Sequence, residues 1–377
     1  MHMRIHKTFS QKPLCVYRYV DRVSVLMWLS LVGVLLISSR VVLSEEPSKD
    51  RPEAAVLPKD WKISIPVAGF AGLTHRRGDY LLAHDQIWRI RNPKRQWTLP
   101  VQPTKGLEGQ PIAISEDGKL AIIQERDTAT VSLFSQTGRK TVLEKDAPLI
   151  CAAFLPSDLG VIVTEKDLDT ATIKLFEIGT QKVVGKFDLP HGLFFTVEVH
   201  PSGRSIALVS SKDDDDPHTS ITVYDLQNGK QTFKHVVERK NLGRSARAHL
   251  AFSGDGTRLA CAMGLSGIRK EGEFLLVCMG PGSKETPHEA TLPIDGVALP
   301  KPLQYVRPGV WLLNYGDQIG TYDEAKKSYA AISKHNRMYS MERILVINST
   351  QAVVELTSLS DFTKKLVVSD IERLGQQ

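Results

Sequence analysis

A chain of 377 residues with 48 Lys+Arg against 42 Asp+Glu and a pI near 9.0 invites a nucleic-acid reading, but the placement of the charge excludes it. Residues 1–44 hold six of the basic residues (Arg4, Lys7, Lys12, Arg18, Arg22, Arg40) and one acid (Asp21), which is +5 of the formal +6; the other 333 residues carry 42 basic and 41 acidic side chains. With 42% apolar residues, 24% charged, 27 Gly and 20 Pro, the composition is that of a globular protein, neither disordered, collagenous nor a multi-span membrane chain.

Behind the basic arm, Val23–Ser39 reads VSVLMWLSLVGVLLISS, seventeen residues without a charge, closed by Arg40. This is the pattern of an export signal: it falls short of the roughly 20 residues of a comfortable span. Two fates fit. Val42 and Ser44 are small enough to stand three and one residues before a cut ahead of Glu45, or residues 23–43 stay in the cytoplasmic membrane as an anchor. The positive flank holds residues 1–22 inside and sends everything after Ser44 across, to a periplasmic or extracytoplasmic location. The organisation expected is a signal peptide or signal anchor over 1–44, a polar, Pro-containing linker over 45–60 and a folded domain over 61–377. No Cys follows the apolar run at a lipid-attachment position.

Beyond Trp61 the chain is a series of short apolar runs separated by turns, and it repeats. The clearest copies are residues 112–140 (IAISEDGKLAIIQERDTATVSLFSQTGRK), 152–182, 197–230 and 250–284. Each reads as a strand, a turn, an apolar strand, a polar turn, an alternating strand and a Gly-containing turn. Asp117-Gly118, Ser202-Gly203 and Asp255-Gly256 supply the positive φ of a tight hairpin. The second strands (LAIIQ, VIVTE, IALVS, LACAM) are apolar on both faces, as in strands covered on both sides. In the third strands Val131 and Leu133, Ile173 and Leu175, and Ile221 and Val223 point one way across the pleat. Asp127-Thr128-Ala129-Thr130 recurs as Asp169-Thr170-Ala171-Thr172, 42 residues on. Gly138, Gly179, Gly229 and Gly282 are expected to close the third strands. Weaker copies over 70–91, 303–327 and 338–365 make seven, and segments 141–143, 183–187, 231–236 and 366–369 supply fourth strands.

A four-stranded unit recurring every 40 to 45 residues or so resembles the WD40-like and YVTN-like repeat families, over about residues 67–370. Leu133-Phe134-Ser135, Leu175-Phe176-Glu177 and Val223-Tyr224-Asp225 sit where WD40 repeats carry Trp-Asp. No unit has that dipeptide, and the opening Gly-His pair is missing. The resemblance implies an all-β, seven-bladed β-propeller of four-stranded antiparallel blades, divergent and of a bacterial exported type. Trp61–Pro66 is placed to pair with the strand near Leu366–Ser369 and so to latch the ring.

No nucleophile elbow, P-loop, HExxH or paired CxxC is present. Asp213–Asp216 form a solvated acidic loop rather than a calcium site, because adjacent acids cannot all turn to one ion; His218 beside them adds little. Candidate ligand-binding residues are Glu198, His200 and His249 on first strands beside the channel, and Arg244 and Arg247, which with His249 would attract an anion at one rim. The competing reading is that His200 bonds within its own turn and that the arginines lie in a solvated loop. Trp88, Trp97 and Trp311 read as blade-packing residues, and Asn348-Ser349-Thr350 matches a glycosylation triplet in an apparent strand. Cys261 and Cys278 fall in neighbouring strands where an oxidising compartment permits a bridge; Cys151 reads as a small buried hydrophobe. The expectation is a non-catalytic, monomeric binding module without cofactor, metal or nucleic acid, engaging a protein or extracellular ligand. The alternative is a lactonase- or hydrolase-like propeller enzyme with its site in the channel.

Overall fold

Apolar runs cut by reversing turns pair each strand with the next, and the described chain forms seven separate four-stranded antiparallel sheets. The computed structural model describes residues 62–65, 73–83, 86–91, 94–100, 113–125, 128, 130–167, 170–189, 193–211, 218–238, 248–264, 272–281, 285–294, 303–315, 318–334, 339–358 and 364–374. The first strand is β1 (Lys62–Ile65). Blade 1 is β2 (Leu73–Arg77), β3 (Tyr80–Ala83), β4 (Gln86–Arg89) and β5 (Lys94–Thr98); blade 2 is β6 (Ala113–Ile114), β7 (Leu120–Gln124), β8 (Val131–Ser135) and β9 (Lys140–Glu144). Blade 3 is β10 (Leu149–Leu155), β11 (Leu159–Asp167), β12 (Thr170–Glu177) and β13 (Val183–Asp188); blade 4 is β14 (Leu193–Val199), β15 (Ser205–Ser211), β16 (His218–Asp225) and β17 (Gln231–Glu238). Blade 5 is β18 (Ala248–Phe252), β19 (Leu259–Gly264), β20 (Gly272–Met279) and β21 (His288–Ile294); blade 6 is β22 (Gln304–Arg307), β23 (Val310–Tyr315), β24 (Gln318–Asp323) and β25 (Ser328–Lys334). Blade 7 is β26 (Tyr339–Val346), β27 (Gln351–Ser358), β28 (Lys364–Asp370) and, as its outer strand, β1.

The core is distributed between blades, one apolar cluster to each of the seven gaps. Second strands are buried on both faces, so a blade covers its two neighbours and is covered by them. Leu208 packs toward blade 3 while Ala207 and Val209 pack toward blade 5. The third strands keep the expected alternation: Ile173 and Leu175 face blade 4, and Ile221 and Val223 face blade 5. One rung recurs. Trp88, Phe134, Phe176, Tyr224, Met279 and Tyr322 each pair with a second-strand residue one step from the first turn, and each enters the core shared with the preceding blade. Each such burial is worth roughly 1.5–3 kcal/mol. In blade 7 that rung holds Ser369.

The latch forms as expected, with Lys62 opposite Val367, Ile63 opposite Leu366, Ser64 opposite Lys365 and Ile65 opposite Lys364. The role of the last strand differs from the expectation: 366–369 is third in its sheet, and the fourth place goes to β1. Beside it, Leu81 and Ile90 of blade 1 pack with Val353, Leu366 and Val368 of blade 7. The chain end adds a second fastening, because a 3₁₀ turn at Ile371–Arg373 buries Ile371 and Leu374 in the gap between blades 6 and 7.

Turn geometry corrects three further details. In blade 3 the reversal after the third strand puts its positive φ on Gln181 (57°), not on Gly179, because the turn has the form of that in blade 4: Gln181 N–H bonds to Glu177 O as Gly229 N–H bonds to Asp225 O. The repeated Asp-Thr-Ala-Thr letters do not form the same turn. In blade 3 Thr170–Thr172 already belong to β12, with the Thr172 hydroxyl donating to Asp188 at 2.7 Å, whereas in blade 2 the strand begins only at Val131. Cys261 pairs with Val277 and faces blade 4, while Cys278 pairs with Ala260 and faces blade 6, so pleat alternation puts the two thiols on opposite sides of one sheet and both are free. No helix among the described residues is long and apolar enough to cross a membrane; residues 1–61, Val23–Ser39 included, lie outside them.

Candidate interaction surface and the first-strand histidines

Strand order fixes which candidates can meet. The turns from first to second and third to fourth strand share one end of each blade, and the other connections leave from the opposite end. His200 opens the first turn of blade 4, directly after β14. His249 is the second residue of β18 and so lies toward the opposite end, where β17 has just finished. Counted back from the turns closed by His200 N–H to Ser205 O and Ser253 N–H to Arg258 O, His249 is level with Thr196, and Glu198 is level with Ala251. The two histidines therefore occupy different levels. Arg244 and Arg247 fall in 239–247 and Asp213–Asp216 in 212–217, outside the described residues; the strand ends they join lie at the end of blade 4 away from His200.

His200 is held on every side. Its Nδ1 accepts from the Ser202 amide at 3.0 Å and lies 2.7 Å from the Ser202 hydroxyl, which leaves the proton on Nε2, 3.0 Å from the carbonyl of Gly256 in blade 5. The ring meets the Phe252 edge at 4.9 Å. Gly256 has φ +73°, and a Cβ there would stand 2.0 Å from His200 Nε2, so glycine is needed both for the backbone angle and for the approach of the ring. Burial lowers the His200 pKa; the Gly256 carbonyl and Asp255 oppose this, and Arg204 reinforces it. The imidazole acts as a neutral strut between blades.

Glu198 and His249 are half-buried and engaged by neighbouring groups. Cys151 is half-buried rather than buried as expected; desolvation and then the Glu198 carboxylate push its thiol far above the usual range. His218 is exposed at the start of β16, in register with Glu238.

Other polar groups also join blades. Trp97 Nε1 donates to Gly118 O of blade 2 at 2.7 Å; Trp311 Nε1 donates to Glu324 of its own blade at 2.6 Å while its ring packs in the core between blades 5 and 6, so both tryptophans pack the blades as their strand patterns imply. Glu324 also pairs with Arg258 of blade 5, whose other arm reaches Glu285 at 3.0 Å. His288 Nε2 lies 2.6 Å from the Tyr322 hydroxyl, and His235 Nε2 lies 3.0 Å from Glu289. Sequence reasoning missed these bridges, since no linear pattern connects residues of different blades. Asn348 lies in a turn rather than a strand: its Oδ1 caps the amides of Thr350 and Gln351, and its Nδ2 donates to Gln351 at 3.3 Å.

The outer strands are the exposed edges. Val142, Val183, Val184 and Val236, the exposed large hydrophobics among the described residues, all lie on β9, β13 and β17. A register shift between third and fourth strands interrupts these edges, at Val131/Ser132, Leu175/Phe176 and Val223/Tyr224, and so limits edge-to-edge pairing.

No protein-family model and no curated protein matches the chain. Solved structures do. The beta-propeller domain of Cps50 (Swd1) from Myceliophteria thermophila superposes with a TM-score of 0.55 at 11% identity, covering 82% of this chain and 99% of that one. The Dos1 propeller superposes with a TM-score of 0.52 at 14% identity, covering 78% of this chain and 75% of that one. Together with the seven sheets and seven inter-blade cores, this defines a seven-bladed β-propeller.

Proposed function

We propose that the chain is a non-catalytic binding propeller, exported across the cytoplasmic membrane by residues 1–44 and offering loop surfaces to a protein or extracellular ligand. The observation that carries it is the use of the polar side chains. Among the described residues, the side chains of His200, His235, His288 and Glu324, each able to carry chemistry at a site, are spent on bridges between blades. That use rigidifies the ring and leaves recognition to the connections at the end opposite His200, where rigid scaffolds place variable loops. The similarity to two propeller domains supports a scaffold role only through the shared fold. Residues 45–60 serve as the linker, and the propeller itself acts as a monomer.

Two measurements test the reading. A reporter active only outside the cytoplasm, fused after residue 60, gives signal if export holds and none if it fails. Crosslinking in envelope extract is expected to place partner peptides within 212–217 or 239–247; crosslinks confined to the His200 end overturn the assignment of the binding face.

A further inference from the structure

The outer edges of blades 2, 3 and 4 repeat one arrangement. Lys140 and Val142 on β9 pair with Phe134 and Ser132, Val183 and Lys186 on β13 pair with Phe176 and Lys174, and Lys234 and Val236 on β17 pair with Thr222 and Ser220. Alternate residues of a strand share a face, so each outer strand turns one lysine and one valine to the same side. On β13 the register shift leaves Val184 without a partner in the ladder and so keeps Val183 and Lys186 together. These four valines are 43–49% exposed, which leaves them open to a second surface. Lys182 and Lys230, at the turns that lead into β13 and β17, are exposed on the same rim, as are Lys186 and Lys234. Lys140 is anchored to Glu125 at 2.8 Å, and Asp188, the acid acting on Lys186, already holds Lys166 at 3.0 Å, so the available charge lies on blades 3 and 4. The pattern stops at blade 5, whose outer strand exposes Glu289, and β25 of blade 6 exposes Ala330 and Ala331.

We propose that the rim of blades 2 to 4 lies against an anionic lipid surface, with the valines at the headgroup boundary and the lysines reaching acidic headgroups. Two features favour a bilayer over an acidic peptide. The lysines and valines are spread over three neighbouring blade edges, as a broad surface requires and a single extended segment does not. The register shift on each outer strand also breaks the ladder that an added strand would extend. The inference does not rest on export, since it concerns the charge of the lipid and not the side of the membrane.

Amine labelling of the full chain, read lysine by lysine by mass spectrometry, tests it. Phosphatidylcholine vesicles are the control for whatever the apolar run Val23–Ser39 does in a bilayer, and Lys326 and Lys327 on blade 6 are the control for tethering through the basic arm. With phosphatidylglycerol added, Lys182, Lys186, Lys230 and Lys234 are expected to label more slowly, while Lys326 and Lys327 keep their rates. Salt at about 1 M, where the Debye length is about 3 Å, is expected to restore labelling. Lys186→Gln combined with Lys234→Gln, both at exposed positions, is expected to raise the phosphatidylglycerol needed to half-protect Lys182 and Lys230 about fivefold per lysine removed. No slowing, equal slowing at Lys326 and Lys327, equal slowing by phosphatidylcholine alone, or an unchanged requirement in the double variant overturns the proposal. Slowing by a soluble polyglutamate peptide but not by vesicles also overturns it, in favour of an acidic protein partner.

Discussion

Ile63 lies opposite Leu366, so a strand from before blade 1 completes blade 7 and the two ends of the chain hold the ring. Leu366 is fully buried and touches the blade 7–1 core as well as the latch sheet. Leu366→Ala is expected to cost about 3 kcal/mol in urea unfolding. Deleting residues 1–65 uncovers the edge of β28 and is expected to broaden the transition, since the ring then opens before it melts. A truncated chain that unfolds as sharply and as late as the whole one contradicts the latch.

Two glycines of positive φ separate backbone strain from steric overlap. Gly138 (φ +85°) has nothing within 4 Å of a Cβ, so Gly138→Ala is expected to cost about 1–2 kcal/mol, the left-handed strain alone. Gly256→Ala meets the His200 ring in addition and is expected to cost about 3 kcal/mol or more. In the double variant with His200→Asn, part of the excess returns. Equal costs at the two sites exclude the inter-blade strut.

Glu324 accepts from Trp311 and pairs with Arg258 across blades 5 and 6, with its side chain 12% exposed. Removing it leaves the indole N–H without its acceptor and the half-buried guanidinium with only the exposed Glu285. Glu324→Ala is therefore expected to lose about 3 kcal/mol, and Glu324→Gln less, because the amide oxygen still serves the indole. Urea unfolding of the two variants against wild type reports both.

What the sequence displayed and what it hid divide along one line. Repeats such as Asp117-Gly118 and Asp255-Gly256, the doubly apolar second strands and the latch are local or periodic, so strand number, blade number and closure could be read before any coordinates. Contacts between blades cannot. His200 reaches Gly256, 56 residues away, and Arg258 reaches Glu324, 66 residues away. Letter identity also misled, because the two Asp-Thr-Ala-Thr copies meet strands of different length. His249 lies on a first strand and His200 directly follows one, but the register sets them at different levels of adjacent blades.

Cys261 and Cys278 face different cores, and burial pushes both thiols well above the ordinary range. The native protein is expected to show no reaction of either with a thiol-specific reagent at pH 8. In denaturant both react fully without prior reduction, and a requirement for reductant contradicts the strand register.

Asp255 and Asp117 predict the acid limb of stability. Burial works to raise each carboxyl pKa, but hydrogen bonds override it: from the Ser253 hydroxyl and the Thr257 amide and hydroxyl at Asp255, and from the Ser115 hydroxyl and the Lys119 amide at Asp117. Both pKa values end below the ordinary carboxylate range. A group lowered in the folded state stabilises fully above its unfolded pKa, near 3.9, and loses that contribution as pH falls through the folded value. Asp255→Asn retains an acceptor for Ser253 and Thr257 but has no proton to gain. The variant is therefore expected to be less stable than wild type at pH 7, with the gap in urea midpoint shrinking between pH 4 and pH 2. A gap that stays constant across that interval means the carboxylate charge contributes nothing to the turn.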